Sequence, residues 1–319
     1  MQQHLIDICI PTFEPQEAHL HEAIRSALAQ TEQCFRIMIH DDASVQDVHA
    51  MVEPFLGDPR ISFSRSPKRL GIGGNWNVTM HKGTGSYIQF LFQDDVWEPA
   101  YLAHALRALE ENPSATLASV GHHYAFEAPL RQEHATYGEI EGIRTNLKSG
   151  LHRGTDLLQW WLERQLHPNI IGEPSFVILR RDAIEHIGDF KETMPQFLDV
   201  EYWIRCLLQG DAVVLHEDLG SFRVHSGAAS ARNTESGEGI YDRLCCFNVM
   251  IAKLPPGKLR SQAIEARNTA LVVMAKKFFS RVKRGGKVPI KGSGNFRAFV
   301  LRHPFLLARA TLHALYRNS

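Results

Sequence analysis

Two pairs of neighbouring carboxylates mark where this chain could do chemistry: Asp41-Asp42 and Asp94-Asp95. The second pair stands in "FLFQDDVWEP", residues 90–99, at the end of a dense apolar run. Adjacent carboxylates repel, and burial raises their cost. They are tolerable facing water at a turn, or with a cation between them and an anionic partner. A single Asp after a strand is usually a turn residue or a helix N-cap. Two acidic pairs after two strands are harder to dismiss. A further carboxylate, Asp199, opens a helical pattern in "FLDVEYWIRCLLQG". Asp is a favoured N-cap at that position, and Glu201 is a rival for any acid–base role.

The elements that must position these groups alternate. "LIDICI" (5–10), "FRIMIH" (35–40), "ISFSR" (61–65), "YIQFLF" (87–92) and "TLASV" (116–120) read as strands. Between them lie helical patterns, such as Leu20, Ile24, Ala27 and Leu28 on one face, and "AYLAHALRALEEN" stopped by Pro113. Strand–helix alternation predicts a mostly parallel, doubly wound sheet. Ligands bind such sheets outside the carboxyl ends of the strands. Three of those ends carry Pro11-Thr12-Phe13-Glu14, Asp41-Asp42 and Asp94-Asp95. Residues 121–175 lack a clean period until "TDLLQWWLERQL", a helix with Thr155 as its expected cap. "SFVILRR" (175–181), "DAVVLHE" and "GSFRVHS" read as further short strands, and the chain from about 240 as helical and basic.

The composition excludes several classes. A hydrophobic fraction of 44% with equal numbers of acidic and basic residues fits neither disorder nor a fibre. No apolar run reaches the length of a transmembrane helix, and the N-terminus does not read as a signal peptide. Five cysteines, with no C-x-x-C, predict free buried thiols in a reducing compartment and argue against zinc. The glycines of "LGIGGNWN" are similar to a dinucleotide loop, but they do not follow the first strand as that fingerprint demands. The balanced charge hides an asymmetry, because Glu265 is the only acid after Lys253. That basic tail either meets an anionic surface or packs on an acidic body.

Taken in order, "ICIPTFEP", "IMIHDDAS", "NWN…GTGSYIQFLFQDDVWEPAYL", "RRDAIEHIGDFKE…FLDVEYWIRCL" and "FRVHSG" span roughly residues 5–230. This ordered set resembles the family-2 inverting glycosyltransferases of the GT-A fold, of the bacterial surface-polysaccharide type. The resemblance implies an α/β fold with a Rossmann-like, mostly parallel sheet and a helical C-terminal extension. It implies a catalytic domain over 1–235, with a nucleotide-binding half (1–120) and an acceptor-binding half (121–235), followed by a basic extension over 236–319. It places Pro11, Thr12, Phe13, Glu14, Asp41, Arg69, Asn77 and Asp94 around a nucleotide-sugar donor, with Lys68 as an additional contact. Asp95 and His225 become ligands of Mg²⁺ or Mn²⁺, and Asp199 the catalytic base. The acceptor is expected to be a glycan or lipid-linked sugar. No nucleic acid is expected, and the location is the cytoplasm, with the basic tail reaching an anionic membrane.

The physics of the reaction agrees. A leaving nucleoside diphosphate gathers negative charge, which a divalent cation held by carboxylates neutralises. A separate carboxylate must take the proton of the attacking hydroxyl. The sequence departs from the family pattern at Gln93, in place of the first acid of its DxD element, at Leu198 before the base, and in "DDAS" for "DDGS". The first two keep a second reading open, a non-catalytic sugar-nucleotide or glycan-binding module. A nucleotidyltransferase ranks below both, because "PTFEP" is acidic where a triphosphate loop would be glycine-rich and basic.

Overall fold

The structure is a computed structural model that describes residues 5–127, 134–194, 196–225 and 239–283, with Phe305 and Ala308. The short apolar runs become strands because both of their faces are covered. Every residue of β1 (Ile6–Thr12) is buried. Ile6, Ile8 and Ile10 enter one apolar cluster and Cys9 enters the other. Strands of this kind belong to the middle of an α/β sheet. β1 pairs in parallel with β2 (Phe35–Asp41) and with β4 (Tyr87–Phe90), and β2 pairs in parallel with β3 (Ile61–Arg65). Helices α1 (Glu17–Leu28), α2 (Val48–Val52) and α3 (Ile72–His81) connect them.

After the two-residue β5 (Val96–Trp97) and α4 (Tyr101–Glu110) the sheet becomes mixed. β6 (Ala115–Phe126) leads to α5 (His134–Thr145), β7 (Gly150–His152) and α6 (Gly154–Glu163). β8 (Val177–Arg180) then enters between β4 and β6, antiparallel to both. α7 (Arg181–Ile187) and α8 (Leu198–Gln209) precede β9 (Asp211–Val224), which pairs in parallel with β6. The strand order is β3-β2-β1-β4-β8-β6-β9-β5, with β7 also on β9. The first half of the sheet is therefore parallel, and the other half mixes antiparallel pairs with the parallel β6–β9 pair. Helices α1, α2 and α4 cover one face; α3, α6, α7 and α8 cover the other.

Several sequence expectations change. "DAVVLHE" and "GSFRVHS" form one strand, because β6 and β9 stay paired through irregular register around Gly121. A side chain at Gly121 would meet the carbonyl oxygens of His216 and Glu217 at 2.7 and 2.6 Å, so only glycine fits this approach. Thr155 does not cap α6. Arg153 holds that position without a side-chain cap, and the Gly154 N–H donates to Asp211 instead. From the tail, α9 (Gly239–Lys253) and α10 (Lys258–Lys283) place Phe247, Met250, Ala263 and Ala266 in the cluster that contains α6 and α8. The amphipathic stretch read from Pro304 to Arg317 lies outside the described residues, except Phe305 and Ala308, which are exposed. Among the described residues no helix is long and apolar enough to cross a membrane.

Candidate active site

The carboxyl ends of β1, β2 and β4 converge, and a two-way amide clasp joins the first to the third. The Phe13 N–H donates to Gln93 Oε1 at 2.9 Å, and Gln93 Nε2 donates to the Phe13 carbonyl at 3.3 Å. Gln93, the departure from the family's acid, thus braces the β1 loop against the acidic turn. Pro11 and Thr12 are buried in the strand end, where Thr12 Oγ1 donates to the His40 carbonyl. Asn75 Nδ2 donates to the Thr12 carbonyl at 3.1 Å. Glu14 adopts a positive φ of 46°, and its carboxylate accepts the Val45 N–H at 2.7 Å. The exposed Arg69 lays its guanidinium over the Phe13 ring, 4.1 Å from the centroid, so two of the expected nucleotide contacts meet at the surface. Lys68 is exposed beside it.

The acids of β2 turn inward. Asp41 has no exposed surface and accepts from the Ser44 N–H at 3.1 Å and from the Ser44 hydroxyl, with Arg65 Nη1 at 3.4 Å. Asp42 accepts the N–H groups of Leu70 and Gly71 at 2.6 and 2.9 Å. Gly71 sits at φ 85°, a left-handed position that favours glycine, just before α3. Gly73 packs so closely on Glu192 that a Cβ would lie 2.8 Å from its Cα. The glycine-rich stretch is therefore a turn and a packing surface. Asn77 is buried within the fold. Its amide accepts from the Phe190 N–H at 2.8 Å and donates to the Phe190 carbonyl at 3.0 Å, so it anchors the chain before α8.

At the β4 turn the carboxylate pair divides. Asp95 is fully buried, accepting from Ser175 Oγ at 2.5 Å and from the Arg223 N–H at 3.1 Å. Burial, and next the charge of Asp94, push its carboxyl well above the usual range. Asp94 is half-buried, and His225 Nε2 lies 2.8 Å from its Oδ2. The hydrogen bond to Asp94 raises the pKa of His225, so protonation of the imidazole and binding of a cation compete at this nitrogen. The Arg223 side chain locks the turn from outside. It donates to the Asp94 carbonyl at 3.0 Å and pairs with Glu22 of α1. Carboxylate oxygen suits Mg²⁺ or Mn²⁺, and an imidazole nitrogen leans toward Mn²⁺. Among the described residues no three side chains of His, Cys, Asp or Glu close a metal cage, so a cation here would need further ligands.

The third carboxylate stands on the other half of the sheet. Phe197, not Asp199, holds the N-cap position of α8. Asp242 of α9 accepts the N–H groups of Gln196 and Phe197 at 2.8 and 3.1 Å, which leaves Asp199 free of that duty. Asp199 is half-buried and accepts from Asn169 Nδ2 at 2.7 Å. Burial pushes its pKa up to about 7, with Glu173 adding to the rise; backbone N–H groups and Asn169 act the other way. Asn169 is itself fixed, exchanging hydrogen bonds with the backbone of Gly172 at 3.0 and 3.1 Å. Glu201 is excluded as the rival base by its partners. It has no exposed surface, pairs with Arg205 at 2.8 Å and has the Lys191 ammonium at 3.2 Å. Leu198 is a core residue, 3% exposed. Asn169, Ser175 and Arg223 carried no local signal in the sequence. Arg205 did, because Glu and Arg four apart on a helix face each other.

The fold is α/β, with acidic residues gathered at the strand ends. The family model described as glycosyl transferase family 2 matches residues 7–188, and the chain belongs to that family. An uncharacterised protein of Mycobacterium tuberculosis is 29% identical over 266 residues, covering 81% of this chain and 80% of its own. Among solved structures, TarS of S. aureus in complex with UDP-GlcNAc superposes with a TM-score of 0.64 at 15% identity, over 84% of this chain and 71% of that one. The mannosyltransferase PcManGT of Pyrobaculum calidifontis, in complex with GDP-Man and Mn²⁺, gives 0.57 at 14% identity, over 99% and 88%. Both show the fold.

Proposed function

We propose that the protein transfers a sugar from a nucleoside diphosphate donor, UDP- or dTDP-linked, to a hydroxyl of a glycan or lipid-linked acceptor. The transfer is a single displacement with inversion. Asp199 takes the acceptor proton, and the nucleoside diphosphate leaves from the acidic turn. The observation that carries this reading is Asp199: a half-buried carboxylate with a pKa near 7, no ion-pair partner within 4.0 Å among the described residues, and a fixed amide on one oxygen. A group poised near the working pH is what general-base catalysis requires. The proposed donor pocket is built from Thr12, Phe13, Glu14, Arg69 and Asp94.

Asp95 and His225 would hold the divalent cation, with Asp94 beside them. The cation supplies charge neutralisation at the diphosphate. The fit is electrostatic: a buried carboxyl pushed well above its ordinary pKa stands beside a second carboxylate, and a cation in place of the proton would relieve both, with neutral His225 2.8 Å from Asp94. Mg²⁺ and Mn²⁺ commonly complete their coordination with substrate phosphates and water. The Mn²⁺ in the mannosyltransferase complex supports this assignment. The test is a thermal-shift screen of UDP, GDP and dTDP sugars, each with and without Mn²⁺, followed by assay of donor hydrolysis and transfer. A protein that binds none of them, with or without metal, sinks the reading.

A further inference from the structure

The cleft beside Asp199 contains a buried guanidinium with no ion-pair partner within 4.0 Å among the described residues. Arg144 of α5 is only 8% exposed. Its guanidinium donates to Ser119 Oγ at 2.8 Å and lies 3.4 Å from His122 Nδ1, both uncharged or cationic partners. Its Nε finds no acceptor among the described residues, and no carboxylate of those residues lies within 4.0 Å of it. Two acids line the cleft, Glu173 and Asp218; Glu173 is turned to His122, with Nε2 at 3.0 Å. Four other partly or fully covered arginines have carboxylates at hand. Arg36 and Arg181 sit on Asp7, Arg205 on Glu201 and Arg223 on Glu22. A guanidinium removed from water is costly unless paired. Desolvation accordingly lowers the pKa of Arg144 despite the more distant Glu173 and Asp218.

The cleft is open, so a partner could enter from outside. Its enclosed part holds about 80 Å³ and the rest opens to solvent, lined by Arg144, His122, Tyr124, Asn169, Glu173 and Asp218 among others. Asn169 joins it to the base through the 2.7 Å hydrogen bond to Asp199. Aromatic rings with planar polar groups suit a sugar ring, and an arginine suits a phosphate or carboxylate, which it can grip with two parallel N–H donors. We propose that this cleft is the acceptor subsite and that it selects a sugar bearing an anionic group, with Arg144 as the counter-charge. The proposal rests on the glycosyl-transfer reading above. Arg144 is a specificity-determining residue here; it has no role at the donor.

The test is isothermal titration of the full chain, with the nucleoside diphosphate chosen by the donor screen and Mn²⁺ present throughout. Glucose 1-phosphate, glucuronate, methyl glucoside and inorganic phosphate are the probes. At least one anionic sugar should bind, and methyl glucoside should bind far more weakly. Arg144→Gln should weaken the anionic sugar roughly tenfold or more, the loss typical of one charge-assisted hydrogen bond, while nucleotide binding is unchanged. Arg144→Lys should keep part of the preference for anions, and it serves if the Gln variant does not fold. Equal binding of charged and neutral sugars by the wild type overturns the proposal, as does an Arg144→Gln protein that binds the anionic sugar normally. Inorganic phosphate binding as tightly as the sugar phosphate also overturns it, because the cleft would then read an ion and no acceptor. Normal nucleotide binding with no anion in the cleft removes this inference alone; absent nucleotide binding removes the enzymatic reading instead.

Discussion

The two acidic ends of the site treat buried carboxylates in opposite ways. At the β4 turn, Asp94 and Asp95 lie within a basic frame of Arg223 and His225. Near α8, Asp199 has an amide and backbone N–H groups but no cation within 4.0 Å among the described residues. Burial raises the pKa at both ends. The first arrangement is an anion store that a metal can complete. The second leaves a carboxylate that gains and loses a proton near neutrality. Glu201, one half-turn further along α8, shows what a cation does to such a group: paired with Arg205 and Lys191, it is structural. Compensation by charge, more than burial, separates a base from a brace.

The comparison breaks most visibly at Asp199. Asp199→Asn should lower the transfer rate by about 10²–10⁴, the usual loss for a general base, while nucleotide binding persists. Retained activity in that variant would end the base assignment. Asp95→Ala should remove the dependence of nucleotide binding on a divalent cation, read as a thermal shift that Mn²⁺ no longer enlarges. Glu201→Ala should act on stability instead. Breaking a buried ion pair costs roughly 3–5 kcal/mol, so denaturant unfolding should show the loss, and any activity change should follow the folded fraction.

The pH dependence sharpens the same contrast. Asp199 must be ionised to act, so activity should rise with pH through about 7 and then level off. Stability runs the other way. The folded pKa of about 7 exceeds the unfolded value of 3.8, so the folded state binds more protons between them. The contribution of this group is fully present below the unfolded value and is lost as pH rises through the folded one. Asp199→Asn should therefore be more stable than the wild type at pH 8, by at most a few kcal/mol, and should narrow toward it near pH 4. The smallest effect belongs to Asn169→Ala. Loss of a hydrogen bond that favours the charged form should move the activity midpoint upward, and a midpoint that stays put or falls contradicts the role given to Asn169.

Much of this was legible in the chain. The apolar runs ending at Thr12, Asp41 and Phe90 gave the parallel strands, because a strand covered on both faces must be apolar along its length. The acidic pair after β4 and the helix carrying Asp199 and Glu201 were equally local features. Which of those two carboxylates is free was half-written, since Arg205 lies four residues from Glu201. The remainder depended on contacts across long stretches of sequence. Asn77 meets Phe190, Ser175 meets Asp95, and Arg223 meets both Asp94 and Glu22. Periodicity and propensity act over a few residues and are blind to such pairings. The insertion of β8 between β4 and β6, the union of two expected strands into β9, and an Arg144 with no carboxylate beside it among the described residues, facing a cleft beside Asp199, were decided by the same long-range packing. The sequence by itself determined which residues could carry charge at the strand ends. Only the tertiary structure decided which of those charges would be neutralised, because a partner's identity is a matter of position in space.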